Sequence, residues 1–254
     1  MTDGNAASPD GAPDTTTTAT VWTPHPGTTW QWQLQGTIDP SFDVVMYDID
    51  LFDNTQSVID SLHASGRKVI CYLSAGTYEP NRPDSSQFPA SVRGTELPDW
   101  PGEYWLDTRS SIVRDIMKAR MDLAVSKHCE GIEPDNVDGY TNNPGFPLTA
   151  TTQLDYNHFL ASEAHARNLS VGLKNDTDQI PDLVGAFDWA LNEQCWQYSE
   201  CDLYDPFLAA NKAIFNTEYG TASLATTVCP KANAKNLDTL IKMLDLGAWR
   251  VACR

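Results

Sequence analysis

The chain's organisation can be worked out from residues 131–140, which read GIEPDNVDGY. Three acids, Glu133, Asp135 and Asp138, fall within six residues, between an apolar helical pattern and a loop rich in Gly and Pro. Carboxylates this close repel one another and resist desolvation, so a fold has little structural reason to gather them. At the end of a buried strand, they predict a site that handles protons or cations.

Short apolar runs alternate with amphipathic segments from Val21 onward. The apolar runs predict eight strands: Thr29–Gly36, Val44–Asp50, Lys68–Gly76, Glu130–Asp135, Leu169–Asn175, Trp189–Gln194, Lys212–Tyr219 and Trp249–Cys253. The amphipathic segments predict helices: Thr55–Ser65, Ser110–Lys127, Thr152–Arg167, Ile180–Phe187, Pro206–Asn211 and Ala234–Leu246. Buried strands that alternate with helices are typical of a parallel sheet.

Eight strand–helix repeats predict a closed α/β fold, a (β/α)8 TIM-like barrel that forms a single domain over residues 21–254. An open, doubly wound sheet is the alternative. That fold normally carries a glycine-rich phosphate loop, and this sequence has none. The Pro- and Ser-rich segment Pro80–Gly102 is the loop that we expect to shape the groove at the barrel mouth.

Composition limits the classes of partner. The chain has 254 residues and a formal net charge of −17. Nucleic-acid binding needs clustered Lys and Arg, so this charge argues against it, whereas an acidic surface attracts cationic ligands. No run is long and apolar enough to span a membrane. We expect a monomer, and no cofactor motif is present.

Residues 1–20 are rich in Thr, Ala, Pro and Asp and cannot bury a core, so we expect a disordered leader there. No signal-peptide pattern is visible, and we expect a secreted or cell-wall-associated protein from which the signal has been removed.

The six cysteines also bear on whether the protein is secreted. Two pairs are candidate disulfides: Cys195 with Cys201, and Cys229 with Cys253. Disulfides of this kind form in oxidising compartments. Cys71 and Cys129 either pair or remain buried thiols. There is no CxxC motif and the five His are scattered, so a metal site is not expected.

Polar residues concentrate at the predicted C-terminal ends of the strands, where such barrels build their active sites. Asp135 and Glu193 end two different strands, and a pair of carboxylates is what a glycosidase requires. One attacks the sugar or activates water, and the other protonates the leaving oxygen. A separation of about 5–5.5 Å predicts retention of the anomeric configuration, and about 6.5–9.5 Å predicts inversion.

The remaining candidates would contact substrate. Asp48 and Asp50 share strand parity, and binding of an amine or sugar hydroxyls, a calcium or magnesium site, and pairing with Lys174 all remain open for them. Lys174 is the one basic residue at the predicted rim, and we expect the acids around it to raise its pKa and make it a charge-pairing residue. The aromatic candidates for stacking on sugar rings are Tyr72, Trp105, Tyr140 and Trp196. The other polar candidates are Ser74, Glu79, Asp107, Asn136, Asp138, Asn192 and Glu218.

Several motifs in order resemble those of glycoside hydrolase family 114, the endo-α-1,4-polygalactosaminidases. They are YDIDLFD at 47–53, VICYLSAGTYE at 69–79, WLD at 105–107, EPDNVDGY at 133–140, GLKN at 172–175 and NEQC at 192–195. The resemblance covers residues 30–219. It implies a (β/α)8-like barrel that cleaves α-1,4-linked galactosamine polymers, including partly deacetylated galactosaminogalactan.

The resemblance also implies that Asp135 and Glu193 are the catalytic pair. An analogy with retaining α-galactosidase-like barrels, where the acid of the fourth strand attacks, makes Asp135 the nucleophile and Glu193 the acid/base. A deacetylated galactosamine polymer is cationic, so we expect its amines to meet Asp48, Asp50 or Asp138. Two other functions stay open: a catalytically silent carbohydrate-binding barrel, and an α-galactosidase-like hydrolase of other specificity.

Overall fold

The computed structural model describes Met1 and residues 21–254. Apart from Met1, the expected leader at 1–20 lies outside the described residues. The strands are β1 Trp30–Gln33, β2 Met46–Asp50, β3 Lys68–Ser74, β4 Thr77–Tyr78, β5 Arg93–Glu96, β6 Tyr104–Leu106, β7 Gly131–Asp135, β8 Ser170–Lys174, β9 Trp189–Glu193, β10 Ile214–Tyr219, β11 Asp238–Lys242 and β12 Arg250–Ala252. The helices are α1 Gln56–Ala64, α2 Ser111–Ser126, α3 Ala150–Ala166, α4 Ile180–Leu183, α5 Cys195–Tyr198, α6 Asp205–Ala209 and α7 Ala225–Lys235.

The main sheet is a curled parallel sheet. Its order is β1-β2-β3-β7-β8-β9-β10-β11-β12, and each pairing is parallel except the last, β11 with β12. Eight parallel strands, with a helix in every connection except that from β1 to β2, confirm the predicted α/β class and TIM-like arrangement. The seam between β1 and the C-terminal strands is bridged by single bonds, such as Trp30 Nε1 to the Asp238 carbonyl at 2.8 Å and Leu34 N to the Leu246 carbonyl at 3.0 Å.

The predictions for the C-terminal quarter were wrong. The segment predicted as a helix, Ala234–Leu246, contains the eighth parallel strand β11, and the predicted last strand, Trp249–Cys253, is the short antiparallel β12. Leu237, Leu240 and Ile241 have helical spacing, but pairing with β10 decides the outcome and buries all three.

The segment Pro80–Gly102 is more ordered than a loop. It contains β5, which joins β4 and β6 in a small antiparallel sheet beside the barrel mouth. Arg82 and Trp100 from this segment line the cleft described below, as expected for a groove-shaping segment.

All six cysteines are paired. Cys195–Cys201 and Cys229–Cys253 are disulfides as predicted, and Cys71–Cys129, which the sequence left open, is the third. None of the helices in the described part of the chain is both long and apolar enough to cross a membrane.

The interior of the barrel is apolar towards the N-terminal ends of the strands and polar towards their C-terminal ends. Its apolar part is Trp30, Trp32, Met46, Ile70, Trp189, Leu191, Ala213, Phe215 and Leu240. A larger cluster packs between the sheet and the helices. Since side chains alternate along a strand, the next inward positions on β2, β7 and β8 place Asp48, Glu133 and Lys174 directly above the tryptophans. This polar layer is the floor of the candidate site.

Candidate active site

Lys174 stands at the centre of the polar layer, with 2% of its side chain exposed. Its Nζ lies 2.9 Å from Glu133 Oε1, 3.2 Å from Asp135 Oδ1 and 3.3 Å from Glu193 Oε2. Burial alone would lower the pKa of Lys174, but attraction by Asp135, Glu133 and Glu193 outweighs it and holds the pKa well above its usual value. The structure therefore places one fixed positive charge between the two predicted catalytic carboxylates.

The chain turns sharply after each of these residues. Asn136, Asn175 and Gln194 follow Asp135, Lys174 and Glu193, and all three have left-handed backbones, with φ of 61°, 48° and 64°. A left-handed residue ends the strand at once, so the preceding side chain is the last one to face into the barrel. Asp135, Lys174 and Glu193 are thus the last inward-facing side chains of their strands, with Glu193 two residues beyond the register partner of Lys174.

Asp135 is oriented from three directions. Besides the Lys174 contact, the Tyr72 hydroxyl donates to Oδ2 at 2.9 Å and the Asn136 backbone N–H donates to Oδ1 at 2.8 Å. Burial, together with the charge of Asp135, raises the pKa of Tyr72 well above its usual value, so this hydroxyl remains a donor. The close turn depends on Gly76, where a Cβ would lie 1.7 Å from the Asn136 carbonyl oxygen.

Glu193 has its own donors. Asn175 Nδ2 donates to Oε2 at 3.3 Å, and the Tyr219 hydroxyl donates to Oε1. The Asn175 side chain also accepts the Glu193 backbone N–H at 3.0 Å, which fixes the end of β9. Burial and the neighbouring Glu193 raise the pKa of Tyr219 far above its usual value, so it also stays protonated.

Asp48 and Glu133 form a fully buried carboxyl pair under Lys174. Glu133 accepts from Trp32 Nε1 at 3.0 Å and from Lys174 at 2.9 Å, contacts that favour its ionised form, although burial raises its pKa to about 7. Asp48 has no cationic partner among the described residues, and burial next to Glu133 raises its pKa well above the usual value. Asp48 is therefore the protonated member of the pair, although neither of its oxygens has a hydrogen-bond partner among the described residues.

Above this layer opens a cleft of about 630 Å³, which we call the lysine compartment. Its lining includes Asp50, Tyr72, Glu79, Arg82, Trp100, Glu103, Trp105, Asp135, Asn136, Asp138, Lys174, Asn175, Glu193, Leu244 and Asp245. Arg82 binds Asp50 and Glu79, at 2.6 Å each, so Lys174 is not the one basic residue at the rim as predicted. Burial and the charges of Glu79 and Asp135 raise the pKa of Glu103 to about 7.

A second cleft of about 410 Å³, the acidic compartment, adjoins the first. Its lining includes Trp100, Asp138, Tyr140, Asn175, Asp176, Asp178, Glu193, Tyr198, Glu200, Tyr219 and Leu244. The two compartments share Trp100, Asp138, Asn175, Glu193 and Leu244, so they form one continuous groove. Glu193 lines both compartments, whereas Asp135 lines only the lysine compartment.

Eight of the predicted substrate-contact residues lie on this groove: Asp50, Tyr72, Glu79, Trp105, Asn136, Asp138, Tyr140 and Lys174. Six do not: Asp48, Ser74, Asp107, Asn192, Trp196 and Glu218. Asp48 is fully buried beneath the floor and does not line the groove, so of the alternatives left open for it, direct substrate contact is not what the structure places there. Asp107 is on the outer surface and pairs with Arg109 at 2.8 Å.

Strand parity explains most of the other misplacements. Asn192 and Glu218 are next to the inward-facing Glu193 and Tyr219, so their side chains point the opposite way. Asn192 binds the Tyr204 hydroxyl at 2.9 Å, and Glu218 accepts the backbone N–H of Trp196 at 2.9 Å. The Trp196 ring packs against the core behind the strand.

Ser74 faces inward, but its hydroxyl is engaged by Thr77 and by Asn136 Nδ2 at 3.0 Å. It supports the Asn136 turn rather than the cleft.

The predicted site residues left out several that hold or line the site, among them Trp32, Arg82, Asp176 and Tyr219, and Glu133 was noted only as one of the three acids in residues 131–140. Glu133 and Tyr219 had a usable signal, since Glu133 shares strand parity with Asp135, and Tyr219 ends the strand next to that of Glu193. Among the described residues, no group of three or more His, Cys, Asp or Glu is arranged to hold a metal ion. Between the carboxylates, Lys174 takes the position that a cation would otherwise fill.

Comparison with known proteins agrees with this architecture. The crystal structure of Aspergillus fumigatus Ega3 in complex with galactosamine is similar at a TM-score of 0.89 and 46% identity, over 93% of this chain and 99% of that one. The glycoside hydrolase domain of PelA from Pseudomonas aeruginosa matches at a TM-score of 0.69 and 11% identity, over 88% and 97% of the two chains. An α-amylase from H. orenii matches at 0.52 and 9%, over 76% and 60%. The last two likenesses concern the fold alone.

A search of curated proteins found no match. The pattern of glycoside-hydrolase family GH114 matches residues 11–254, nearly the whole chain. Together with the Ega3 likeness, this match confirms the resemblance found in the motifs. The chain is a glycosidase and belongs to glycoside-hydrolase family GH114.

Proposed function

We propose that this protein is a secreted, endo-acting hydrolase of α-1,4-linked galactosamine polymers, with Asp135 as nucleophile and Glu193 as acid/base in a retaining mechanism. The single observation that carries the proposal is the position of Lys174 between these two carboxylates, at the floor of a continuous acidic groove. The galactosamine bound to Ega3 supports the choice of sugar.

The lysine contacts limit how far apart the two acids can be. Asp135 Oδ1 and Glu193 Oε2 are 3.2 Å and 3.3 Å from the same nitrogen, so their separation cannot exceed those two distances combined. That upper limit only reaches the lower edge of the range of about 6.5–9.5 Å typical of inverting enzymes. The nearest oxygens of the two acids thus lie no farther apart than the lower edge of that range, which supports retention.

The groove supports the division of roles between the acids. An acid/base must reach the oxygen that links two sugar units, and Glu193 lines both compartments. A nucleophile needs to reach only the anomeric carbon of one unit, and Asp135 lines only the lysine compartment. Its three donors, Tyr72, the Asn136 N–H and Lys174, hold it in a single orientation.

The reaction then follows from these positions. An Asp135 oxygen forms a bond to the anomeric carbon while the glycosidic C–O bond breaks, and Glu193 transfers its proton to the departing oxygen. Glu193 next takes a proton from water, whose oxygen displaces Asp135 from the anomeric carbon. Lys174 compensates the charge on whichever carboxylate is ionised, and Glu133 balances Lys174 when Asp135 is esterified.

Two features support endo action on a cationic chain. The groove has room for sugar units on both sides of Glu193, and Trp100 and Tyr198 present exposed rings along it. Of the three acids expected to meet the amines, Asp48 is buried and Asp50 is bound by Arg82, which leaves Asp138. The three disulfides support secretion.

A product-size assay on deacetylated α-1,4-galactosamine polymer tests the proposal. We expect the wild-type protein to release a ladder of oligomers, and Asp135→Asn and Glu193→Gln to lose at least about 10³-fold in kcat while still binding the polymer. Asp107→Asn, outside the groove, is the matched acid-to-amide control and should cut normally.

Other results would support the alternative functions. Binding of the polymer by wild-type protein without shortening it would favour a silent carbohydrate-binding barrel. Release of single sugars alone, or cleavage of α-galactosides instead, would favour an exo-acting or α-galactosidase-like enzyme.

A further inference from the structure

We propose that the acidic compartment is the subsite for the leaving sugar unit and that it selects a unit whose amine is free. The inference rests on the proposed function, because it assigns a side of the cut bond to the compartment. It concerns residues that the motifs did not single out, chiefly Asp176, Asp178 and Glu200.

The charge of this compartment is unbalanced. Its lining contains five acids, Asp138, Asp176, Asp178, Glu193 and Glu200, and no Lys or Arg. Within residues 21–254, only Glu193 of these five forms an ion pair, with Lys174. In the lysine compartment, by contrast, Arg82 and Lys174 bind four of the acids. A cationic guest would therefore gain most in the acidic compartment.

Asp176 gives a second, independent indication of a ligand. The residue is 4% exposed, and its Oδ2 accepts from Asn157 Nδ2 at 2.8 Å. Its Oδ1 is buried and has no hydrogen-bond partner among the described residues, although the Tyr140 hydroxyl lies nearby. An unpartnered buried carboxylate oxygen is costly unless a donor arrives, and an ammonium group supplies both donors and charge.

The pKa values of two acids in this compartment point the same way. Burial and the charge of Asp138 raise the pKa of Asp176 to about 7, and burial and the charge of Asp135 raise that of Asp138 to about 6. Both carboxyls thus lack a compensating cation. An N-acetylated unit would bring a neutral amide and leave them unbalanced, so the compartment discriminates between the two forms of the sugar.

The residues that line the acidic compartment indicate on which side of the cleaved bond its sugar unit lies. The acidic compartment touches Glu193, which protonates the leaving oxygen, and does not include Asp135. The sugar held there keeps the oxygen at its position 4 and becomes the new non-reducing end. The inference therefore predicts the composition of one end of every product.

Digestion of a partly N-acetylated α-1,4-galactosamine polymer tests this directly. After the reducing ends are labelled with ¹⁸O-water, mass spectrometric sequencing gives the residue at each new non-reducing end. We expect free-amine units there well above their share in the polymer. Asp178→Asn should reduce this bias and raise KM for the fully deacetylated polymer roughly 5- to 20-fold with little change in kcat.

Asp178 is exposed, so the Asp178→Asn protein should fold. Asp176→Asn changes the carboxyl group that carries the buried, unpartnered oxygen, and its effect should be larger. The control is Asp182→Asn, an exposed acid on α4 outside both compartments, which should change neither the bias nor KM. New non-reducing ends that match the average polymer composition, or a bias confined to the reducing ends, would overturn the inference.

Binding separates this inference from the proposed function. In Asp135→Asn protein, which is expected not to cut, adding Asp178→Asn should weaken binding of a fully deacetylated oligomer and leave binding of its N-acetylated counterpart unchanged. Unchanged binding of both oligomers would refute the amine-reading role whether or not the wild type cuts the polymer. Loss of cutting alone would refute only the proposed function.

Discussion

The two compartments of the groove are lined by the same kind of side chain in opposite electrostatic settings. In the lysine compartment, Asp135 and Glu193 lie within 3.3 Å of a buried ammonium group. In the acidic compartment, Asp176, Asp178 and Glu200 have no basic neighbour in the lining. In the proposed roles, the catalytic carboxylates receive their cation from the protein, whereas the carboxylates proposed to bind substrate receive theirs from the bound sugar.

This difference explains where the fold places its buried charges. The fixed cation of Lys174 needs a counter-charge that survives each step of the reaction, and Glu133 supplies one from a fully buried position. The acidic compartment is at the surface, where water and salt moderate the repulsion between its acids. The two regions should therefore respond differently to mutation, salt and pH.

The largest effect is expected from Lys174→Met, which removes the fixed cation. The kcat should fall at least about 10³-fold, because three carboxylates lose their common partner. Stability should fall by about 3–5 kcal/mol, since a buried ion pair is broken on one side. Steady-state kinetics and thermal unfolding measure both, with the surface Lys118→Met as control. Near-normal turnover by Lys174→Met would show that the two compartments do not differ in the way described.

Glu133→Gln should have the next largest effect. Gln keeps the shape but leaves the charge of Lys174 balanced by the catalytic pair alone, so kcat should fall about 10- to 100-fold. The alkaline limb of the pH–rate profile should move to lower pH, because one negative charge has left the neighbourhood of the acid/base. Asp48→Asn is the matched control: Asp48 is already protonated, so its amide should keep kcat within about threefold. A Glu133→Gln protein with an unshifted profile would mean that Glu133 is only structural.

A smaller effect, on KM and dependent on salt, is expected from a substitution in the acidic compartment. For the deacetylated polymer, Asp138→Asn should raise KM about 3- to 10-fold at low ionic strength, because Asp138 lines both compartments without an ion-pair partner in the described residues. The difference from wild type should shrink near 1 M salt, where the screening length is about 3 Å. A KM ratio that is independent of salt would contradict the electrostatic role.

The smallest effect on activity, and a distinct effect on stability, is expected from Asp48→Asn. The unfolded chain releases the Asp48 proton above about pH 4, whereas the folded protein retains it because the folded-state pKa is raised. Wild-type stability is therefore progressively lost as pH rises above 4, and Asn avoids this loss. The variant should be more stable than the wild type at pH 7 and no more stable below pH 4. Thermal unfolding across pH measures the difference, and equal gains at all pH values would contradict a protonated Asp48.

Much of the fold could be predicted from the sequence. Seven of the eight parallel strands were predictable because each is a short apolar run that ends in polar residues. The eighth, β11, could not be predicted, because Leu237, Leu240 and Ile241 match a helix by spacing, and only pairing with β10 makes Asp238–Lys242 a strand. Local pattern carries no information about a partner that is distant in the sequence.

The site was predictable at its centre and less so at its edges. Asp135, Glu193 and Lys174 stand at strand ends, where the barrel fold gathers side chains. Asn192 and Glu218 were misplaced because alternation along the strand was not applied to them. No sequence pattern reveals how separate loops pack. The lack of a hydrogen-bond partner for Asp176 Oδ1 and the pairing of Asp50 with Arg82 both depend on that packing.

The most direct test of the central claim is to observe the anomer that forms first. Proton NMR of wild-type protein acting on a deacetylated α-1,4-galactosamine oligomer should show the α-anomer at the new reducing end before mutarotation produces the β-anomer. That result would agree with two carboxylates held close together by Lys174 and acting in two displacements. First appearance of the β-anomer, or no new reducing end, would contradict it.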